Sequence, residues 1–284
     1  MTNITEPTAE STLYRRRLEH WSQTPQTRIP NSLQAATLTN QVGLATLYPA
    51  SPEIPNLFHA YMGRPDAPTD SGHDSPSGHV YGWRWDLGRA EAAFYTAIVR
   101  RRPTWVSWAL LPAVIRLLGE PRTPDELYDL GAISPDAYRI ARVLESAERA
   151  LSTGELRREA GFPVGKERRA AYLKAVDELE TRMLLAKVFS VDDLDMRHAL
   201  VSVRYPEHVE AAEQVTREEA LDRFLATYLP RAVYAVPARL AKHLGLPEGE
   251  LRAGLEQLRA TGRVSVMALP FEETPCYVWE GELT

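Results

Sequence analysis

Cysteine is almost absent from this 284-residue sequence, with Cys276 as its one example. A disulfide framework within the chain and a cysteine-based zinc site are therefore excluded, which favours a reducing compartment. Long hydrophobic runs are missing too, since the longest, Trp105 to Leu118, is shorter than the roughly 20 residues that span a membrane and is interrupted by Pro112. Residues 1–11 are polar and acidic, unlike a signal peptide. We therefore expect a cytoplasmic protein that does not contact membranes.

An excess of positive charge is also missing, because 38 acidic residues outnumber 33 Lys and Arg and give a net charge of -5. Nucleic-acid binding usually goes with a basic surface, so any such contact requires a local basic patch. The sequence has no Ser/His/Asp signature, no phosphate-binding glycine loop and no HExxH motif, and it suggests no cofactor. Four potential metal ligands are irregularly spaced and predict no metal site: Asp70, His73, Asp74 and His79.

The first 120 residues predict an α/β region that contains a mobile loop. The segment 64–82 is rich in Pro, Gly, Ser and Asp, so it has little apolar surface to offset the entropy of ordering. Trp83 and Trp85 alternate with Arg84 and suggest one buried face of a strand, with base stacking as the alternative. The pattern over Gly88 to Arg101 predicts a helix that ends in arginines. Arg15 to Arg17 are expected on a solvated helix face.

The rest of the chain predicts two consecutive winged-helix units, at 121–205 and 206–284. Thr123-Pro124 and Ser134-Pro135 are helix starts, and a Glu follows Thr123 at the third helical position. In each unit a helix, a short helix, a tight turn with Gly and a third helix precede strand-like residues, which is the order of a winged helix-turn-helix. The expected fold class is therefore mainly α with small β-hairpins.

The third helix of each predicted unit is the candidate for DNA contact. Residues 165–183 should form the longest helix, with Leu173, Val176, Leu179 and Met183 as its apolar stripe. Its start is basic, so phosphate contact is expected from Lys166, Arg168, Arg169 and Lys174. The corresponding helix of the second unit begins with Glu248 and Glu250, which would repel phosphate. That unit is expected to pack structurally or to contact a protein partner.

The chain resembles the YcaQ/AlkZ type of crosslink-repair DNA glycosylase, and in particular its AlkZ-related members. The resemblance rests on the tandem winged helices and on the segments Arg217 to Val266 and Trp83 to Leu118. The resemblance implies winged helices around a DNA channel and a short catalytic strand motif, in which Gln, an apolar residue and Asp or Gln activate water. In the segment Gly43 to Pro49, Thr46 and Tyr48 take the two polar places. If the motif is instead aligned on Gln41, its first Gln is present but its second polar group is absent.

This substitution pattern determines the functional prediction. A neutral Tyr, with a pKa near 10, is a poor base at neutral pH, and a Thr hydroxyl lacks the two-ended hydrogen bonding of a Gln amide. We therefore predict a DNA-binding protein of this repair superfamily without standard glycosylase chemistry. Two alternatives stay open: an active glycosylase on alkylated or crosslinked bases, and a module that binds a protein partner.

Overall fold

The computed structural model describes residues 9–162, 165–192 and 195–283. It is mainly α-helical with small antiparallel sheets, as the sequence predicts. Helix α1 spans Ala9–His20. The next elements form unit A (residues 32–106): α2 Ser32–Val42, β1 Leu44–Thr46, α3 Leu57–Met62, α4 Pro76–Arg89, β2 Phe94–Val99 and β3 Arg102–Val106.

Two connecting helices lead to the second unit, α5 Leu111–Leu118 and α6 Pro124–Asp129. Unit B (residues 135–200) consists of α7 Pro135–Ser146, β4 Leu151–Ser152, α8 Thr153–Glu159, α9 Lys166–Thr181, β5 Leu185–Phe189 and β6 Met196–Leu200. After α10 Val201–Arg204 and α11 Pro206–Glu213, unit C (residues 217–279) consists of α12 Arg217–Ala232, β7 Tyr234–Ala235, α13 Pro237–Leu244, α14 Glu248–Ala260, β8 Val264–Met267 and β9 Cys276–Trp279.

Units A, B and C share one topology. Each has the order helix, short strand, two helices and a hairpin, and in each sheet the last strand lies in the middle: β1-β3-β2, β4-β6-β5 and β7-β9-β8. In units B and C the three helices and the following hairpin have the order expected from the sequence, whereas the short strand after the first helix was not predicted. The structure adds a third copy in unit A, where the sequence predicted only an α/β region.

The third helix of unit A begins inside the segment predicted to be a mobile loop, which is why the sequence pattern did not indicate this unit. Ser75 caps α4 by accepting a hydrogen bond from the Gly78 amide at 3.1 Å, and Pro76 occupies the first turn. The prediction for residues 76–82 is therefore wrong. Trp83 and Trp85 belong to this helix rather than to a strand, and Trp83 is buried with its ring edge-on to Tyr61.

The predicted helix from Gly88 to Arg101 is also wrong, since Phe94–Val99 is strand β2. Ala92, Tyr95 and Ile98 have helical spacing, but the run is aromatic and β-branched, and its pairing with β3 decides the conformation. Arg100 and Arg101 form the two-residue turn between the strands with φ angles of 49° and 59°. These arginines therefore do not end a helix.

Capping boxes fix several helix starts in the second half of the chain. They join Thr123 to Glu126, Ser152 to Glu155 and Thr216 to Glu219, so that side chain and backbone satisfy each other's polar groups. The apolar stripe of α9 differs by one position from the prediction. Leu173 is 52% exposed, whereas Tyr172, Ala175, Val176 and Leu179 are buried.

The hydrophobic core does not follow the three units one by one. One cluster combines side chains of units A and C, including Trp105, Phe58, Phe224 and Leu255. A second cluster belongs mainly to unit B, with Ile140, Leu156 and Leu179 among its members. Units A and C, though distant in sequence, are therefore stabilised by the same buried apolar surface. Within the described ranges, no helix is long and apolar enough to cross a membrane.

Candidate functional site

The strand motif that suggested catalysis lies in unit A. Thr46, in β1, is fully buried, and its hydroxyl donates to the Tyr48 carbonyl at 2.8 Å. The Tyr48 hydroxyl donates to the Ser77 carbonyl at 2.7 Å, and burial raises the pKa of this phenol above its usual value of 10. Gln41 lies exposed on α2. None of the three therefore places a free base at this position.

Tyr48 lines an open cavity of about 250 Å³ at the start of α4, together with Asp70, His73, Ser77 and Tyr81. The Asp70 carboxylate accepts a hydrogen bond from the Ser77 amide at 2.9 Å. Hydrogen bonds from Ser77 lower the pKa of Asp70, so its carboxylate is ionised at neutral pH. From the sequence alone Asp70 suggested only a metal ligand, because its proximity to Tyr48 depends on the loop between α3 and α4.

The four potential metal ligands of the segment 70–79 do not form a metal cluster. No group of three or more His, Cys, Asp or Glu side chains converges in the part of the chain that the structure describes. Asp70 is held by Ser77, and the ring of His79 is 3.1 Å from the Tyr61 hydroxyl. Both side chains therefore have local partners.

The predicted phosphate-binding residues lie on α9. Arg169 and Lys174 are exposed, and no described residue forms an ion pair with either. The side chains of Lys166 and Arg168 lie outside the described residues. The β2–β3 turn of unit A reaches this helix, where Arg101 forms a salt bridge with Asp177. We call Arg101, Arg169 and Lys174 the basic face.

Arg169 and Lys174 stand out because acids neutralise most other surface arginines, Arg101 included. On α14, for example, Glu248 pairs with Arg252 at 2.7 Å and Glu250 pairs with Arg217 at 2.6 Å. The two acids that begin this helix are thus compensated within unit C. The cavity at Tyr48 contains no α9 residue among those that the structure describes, so the two predicted sites are separate.

A buried charge network joins α1, unit A and unit C, and sequence reasoning missed it. Glu53 is fully buried, 2.5 Å from the Arg239 guanidinium and 3.6 Å from that of Arg17. Tyr228 donates to the Glu53 carbonyl at 2.8 Å, and Glu272 pairs with Arg239 at 2.7 Å. Charged side chains are rarely buried without such partners.

Arg17 corrects the prediction of a solvated arginine face on α1, since it is only 3% exposed. Its guanidinium donates to the carbonyls of Ala232 and Tyr234 and lies over the Tyr234 ring, 3.4 Å from the centroid. The sequence does not indicate that Arg17 is buried, because nothing within the three-arginine run distinguishes the last arginine from the other two.

The three units and the connecting helices define a mainly helical protein in which one topology occurs three times. The model of the AlkZ-related family matches residues 29–245, and the chain belongs to that family. Among solved structures, the chain is similar to the DNA glycosylase AlkZ of Streptomyces sahachiroi, with a TM-score of 0.59 and 13% identity over 96% of this chain and 70% of that one. At this identity the likeness shows the fold alone. No curated protein sequence matches the chain.

Proposed function

We propose that the chain is a DNA-binding protein of the DNA-repair glycosylase superfamily, that its basic face contacts DNA phosphates, and that it lacks the water-activating pair of standard glycosylase chemistry. Family membership supports the repair context. The observation that carries the DNA contact is the exposure of Arg169 and Lys174 on a surface where most arginines are already paired.

The geometry of the basic face suits a phosphate backbone. Lys174 and Asp177 are three residues apart and therefore neighbours on the helix surface. Arg101 from unit A meets Asp177, so the β2–β3 turn lies beside the part of α9 that carries Lys174. No described side chain caps the start of α9, which leaves amide groups and the positive end of the helix dipole for an anion.

The degenerate chemistry follows from the β1 motif. The Thr46 hydroxyl is buried and donates to a backbone carbonyl, and the Tyr48 phenol also donates to one. A water-activating base must accept a proton, and a phenol whose pKa is raised does this poorly at neutral pH.

Salt dependence of DNA binding tests the phosphate contact. In duplex DNA, the slope of log K against log salt becomes shallower by about 0.9 for each phosphate that the protein no longer neutralises. We expect Arg169→Ala/Lys174→Ala to bind more weakly, with a slope shallower by about 2. Arg223→Ala/Lys242→Ala is the matched control, since it removes one exposed Arg and one exposed Lys from unit C. Equal slopes for the two double variants, or no binding by the wild type at low salt, would refute the proposal.

One observation favours an active glycosylase as a second candidate: the ionised Asp70 shares a cavity with Tyr48. This carboxylate can replace the acidic group that the β1 motif lacks. The test is release of alkylated or crosslinked bases from duplex DNA. General base catalysis contributes about 10²–10⁴-fold, so Asp70→Asn should lower the rate at least 100-fold while retaining the acceptor for the Ser77 amide. An inactive wild type across the lesion panel would exclude this candidate.

A further inference from the structure

One cavity shares no lining residue with the cavity at Tyr48 and contains no described residue of α9. It measures about 570 Å³ and is enclosed by the end of α1, the loop 49–56 and the β8–β9 loop of unit C. This volume is in the range of small-molecule sites. Its walls include the aromatic residues Tyr14, Trp21, Tyr234 and Phe271.

Gln23 gives this cavity an unused hydrogen-bonding group. The residue is only 4% exposed and lines the cavity, yet no described residue hydrogen-bonds to its side-chain amide. The amide therefore remains available to hydrogen-bond to water or to a ligand within the cavity. A glutamine amide offers a donor and an acceptor side by side in one plane.

Two other polar side chains at the cavity, Asn56 and His59, are already engaged. Asn56 accepts from the His59 amide at 2.8 Å, and its side-chain nitrogen is 3.1 Å from His59 Nδ1. The other ring nitrogen of His59 is 3.2 Å from the Ala67 carbonyl, and burial lowers the pKa of this imidazole, which keeps it neutral. These contacts leave neither side chain free for a ligand.

The charged side chains at the cavity are compensated in the same way. Arg17 faces Glu53 and three backbone carbonyls, and both carboxylate oxygens of Glu272 accept from Arg239. An anionic or cationic ligand therefore finds no free counter-charge among these groups, and desolvation would oppose its entry. The lining favours an uncharged ligand.

We propose that this cavity binds an uncharged planar heterocycle of the nucleobase class, stacked on Tyr14 and Phe271 and held at its edge by the Gln23 amide. Amide side chains pair with base edges that present an adjacent donor and acceptor, as adenine does. Aromatic side chains stack on any base. Tyr14 and Phe271, whose ring centroids are 5.5 Å apart, are both about two-fifths exposed and give the cavity an aromatic edge.

The same chemistry has two sources, a free base and a base extruded from DNA. Binding of free adenine, followed by titration calorimetry and by Trp21 fluorescence, tests the site without any DNA. We expect Gln23→Leu and Tyr14→Ala each to weaken adenine binding at least tenfold, because a base-edge hydrogen-bond pair and a stacking contact each contribute about that much. Gln257→Leu, on the exposed side of α14, should bind as the wild type does.

A duplex with one bulged adenine distinguishes the sources. Competition between this duplex and adenine assigns the site to an extruded base, and adenine binding without competition assigns it to a free heterocycle. Either result supports the site even if the basic face proves not to bind phosphate. No adenine or guanine binding at millimolar concentration, or equal affinity for wild type and Gln23→Leu, would overturn the proposal.

The stability of Gln23→Leu adds a readout that does not depend on the ligand. Gln23→Leu breaks no hydrogen bond to a described residue and keeps a side chain of similar size. The melting temperature of this variant should therefore equal or exceed that of the wild type. A marked decrease would show that the amide has a structural partner, which contradicts the proposed role.

Discussion

Replacing Glu53 with Gln tests whether the buried charge network holds units A and C together. The substitution preserves shape but removes the negative charge that faces Arg17 at 3.6 Å and Arg239 at 2.5 Å. Arg239 keeps Glu272 as a partner, whereas Arg17, 3% exposed, loses its counter-charge. Stranding one buried charge costs about 3–5 kcal/mol. Because Arg17 retains its hydrogen bonds to backbone carbonyls, we expect the lower end, about 3 kcal/mol.

Urea unfolding followed by tryptophan fluorescence measures this loss directly. A decrease of about 3 kcal/mol should lower the melting temperature by roughly 6–12 °C, since 1 kcal/mol corresponds to about 2–4 °C for a chain of this size. Glu248→Gln is the matched control. It breaks an exposed pair with Arg252, so its cost should stay below about 1 kcal/mol.

A double-mutant cycle with Arg17→Met identifies the source of the loss. If the stranded charge of Arg17 is responsible, the double variant should be destabilised by less than the sum of the two single variants, because removing Arg17 also removes the uncompensated charge. Strict additivity, or a Glu53→Gln cost equal to that of Glu248→Gln, would refute the argument that this pair is coupled through burial.

Two further predictions concern stability. Burial, with a smaller contribution from Lys187, lowers the pKa of His198 from 6.5 to about 4. As pH falls, His198 is therefore protonated in the unfolded chain before it is protonated in the folded protein. Between pH 6.5 and 4, the unfolding free energy of the wild type should therefore decrease by about 3 kcal/mol more than that of His198→Gln. Parallel pH profiles of the two proteins would contradict this. A Cβ at Gly88 would overlap the Phe189 ring, so Gly88→Ala should cost about 1–3 kcal/mol. Gly82→Ala lies in the same helix, with no atom within 4 Å of the new Cβ, and should instead stabilise the protein by up to about 1 kcal/mol. Thermal unfolding compares the two variants, and a stabilised Gly88→Ala would disprove the overlap.

Local signals in the sequence were sufficient for much of the fold. The box that joins Thr123 to Glu126 operates within one helical turn, and the apolar spacing of Leu251, Leu255 and Leu258 places α14 in unit C. The same kind of signal was present at Ser75-Pro76, but it lay inside a segment whose composition suggested disorder. The start of α4 was therefore readable in principle, from one cap and one proline.

The candidate site was less predictable. The exposure of Arg169 and Lys174 agrees with their expected place on a solvent-facing helix, but their role in binding DNA stays a prediction. The contact between Arg101 and Asp177 joins units A and B across 76 positions of the chain, and no sequence pattern within either segment indicates it. Asp70 reaches the cavity of Tyr48 only because the loop after α3 folds back on α4.

The sequence by itself determined the mainly helical class, the caps and the periodic helices of units B and C. These depend on residues a few positions apart, where hydrogen bonds and side-chain periodicity act. Only the tertiary structure decided that Arg17 and Glu53 are buried and that Gln23 faces a cavity with no described residue as its partner. Burial of a polar group is a property of everything packed around it, and the carbonyls that Arg17 meets at Ala232 and Tyr234 lie more than 200 residues away along the chain.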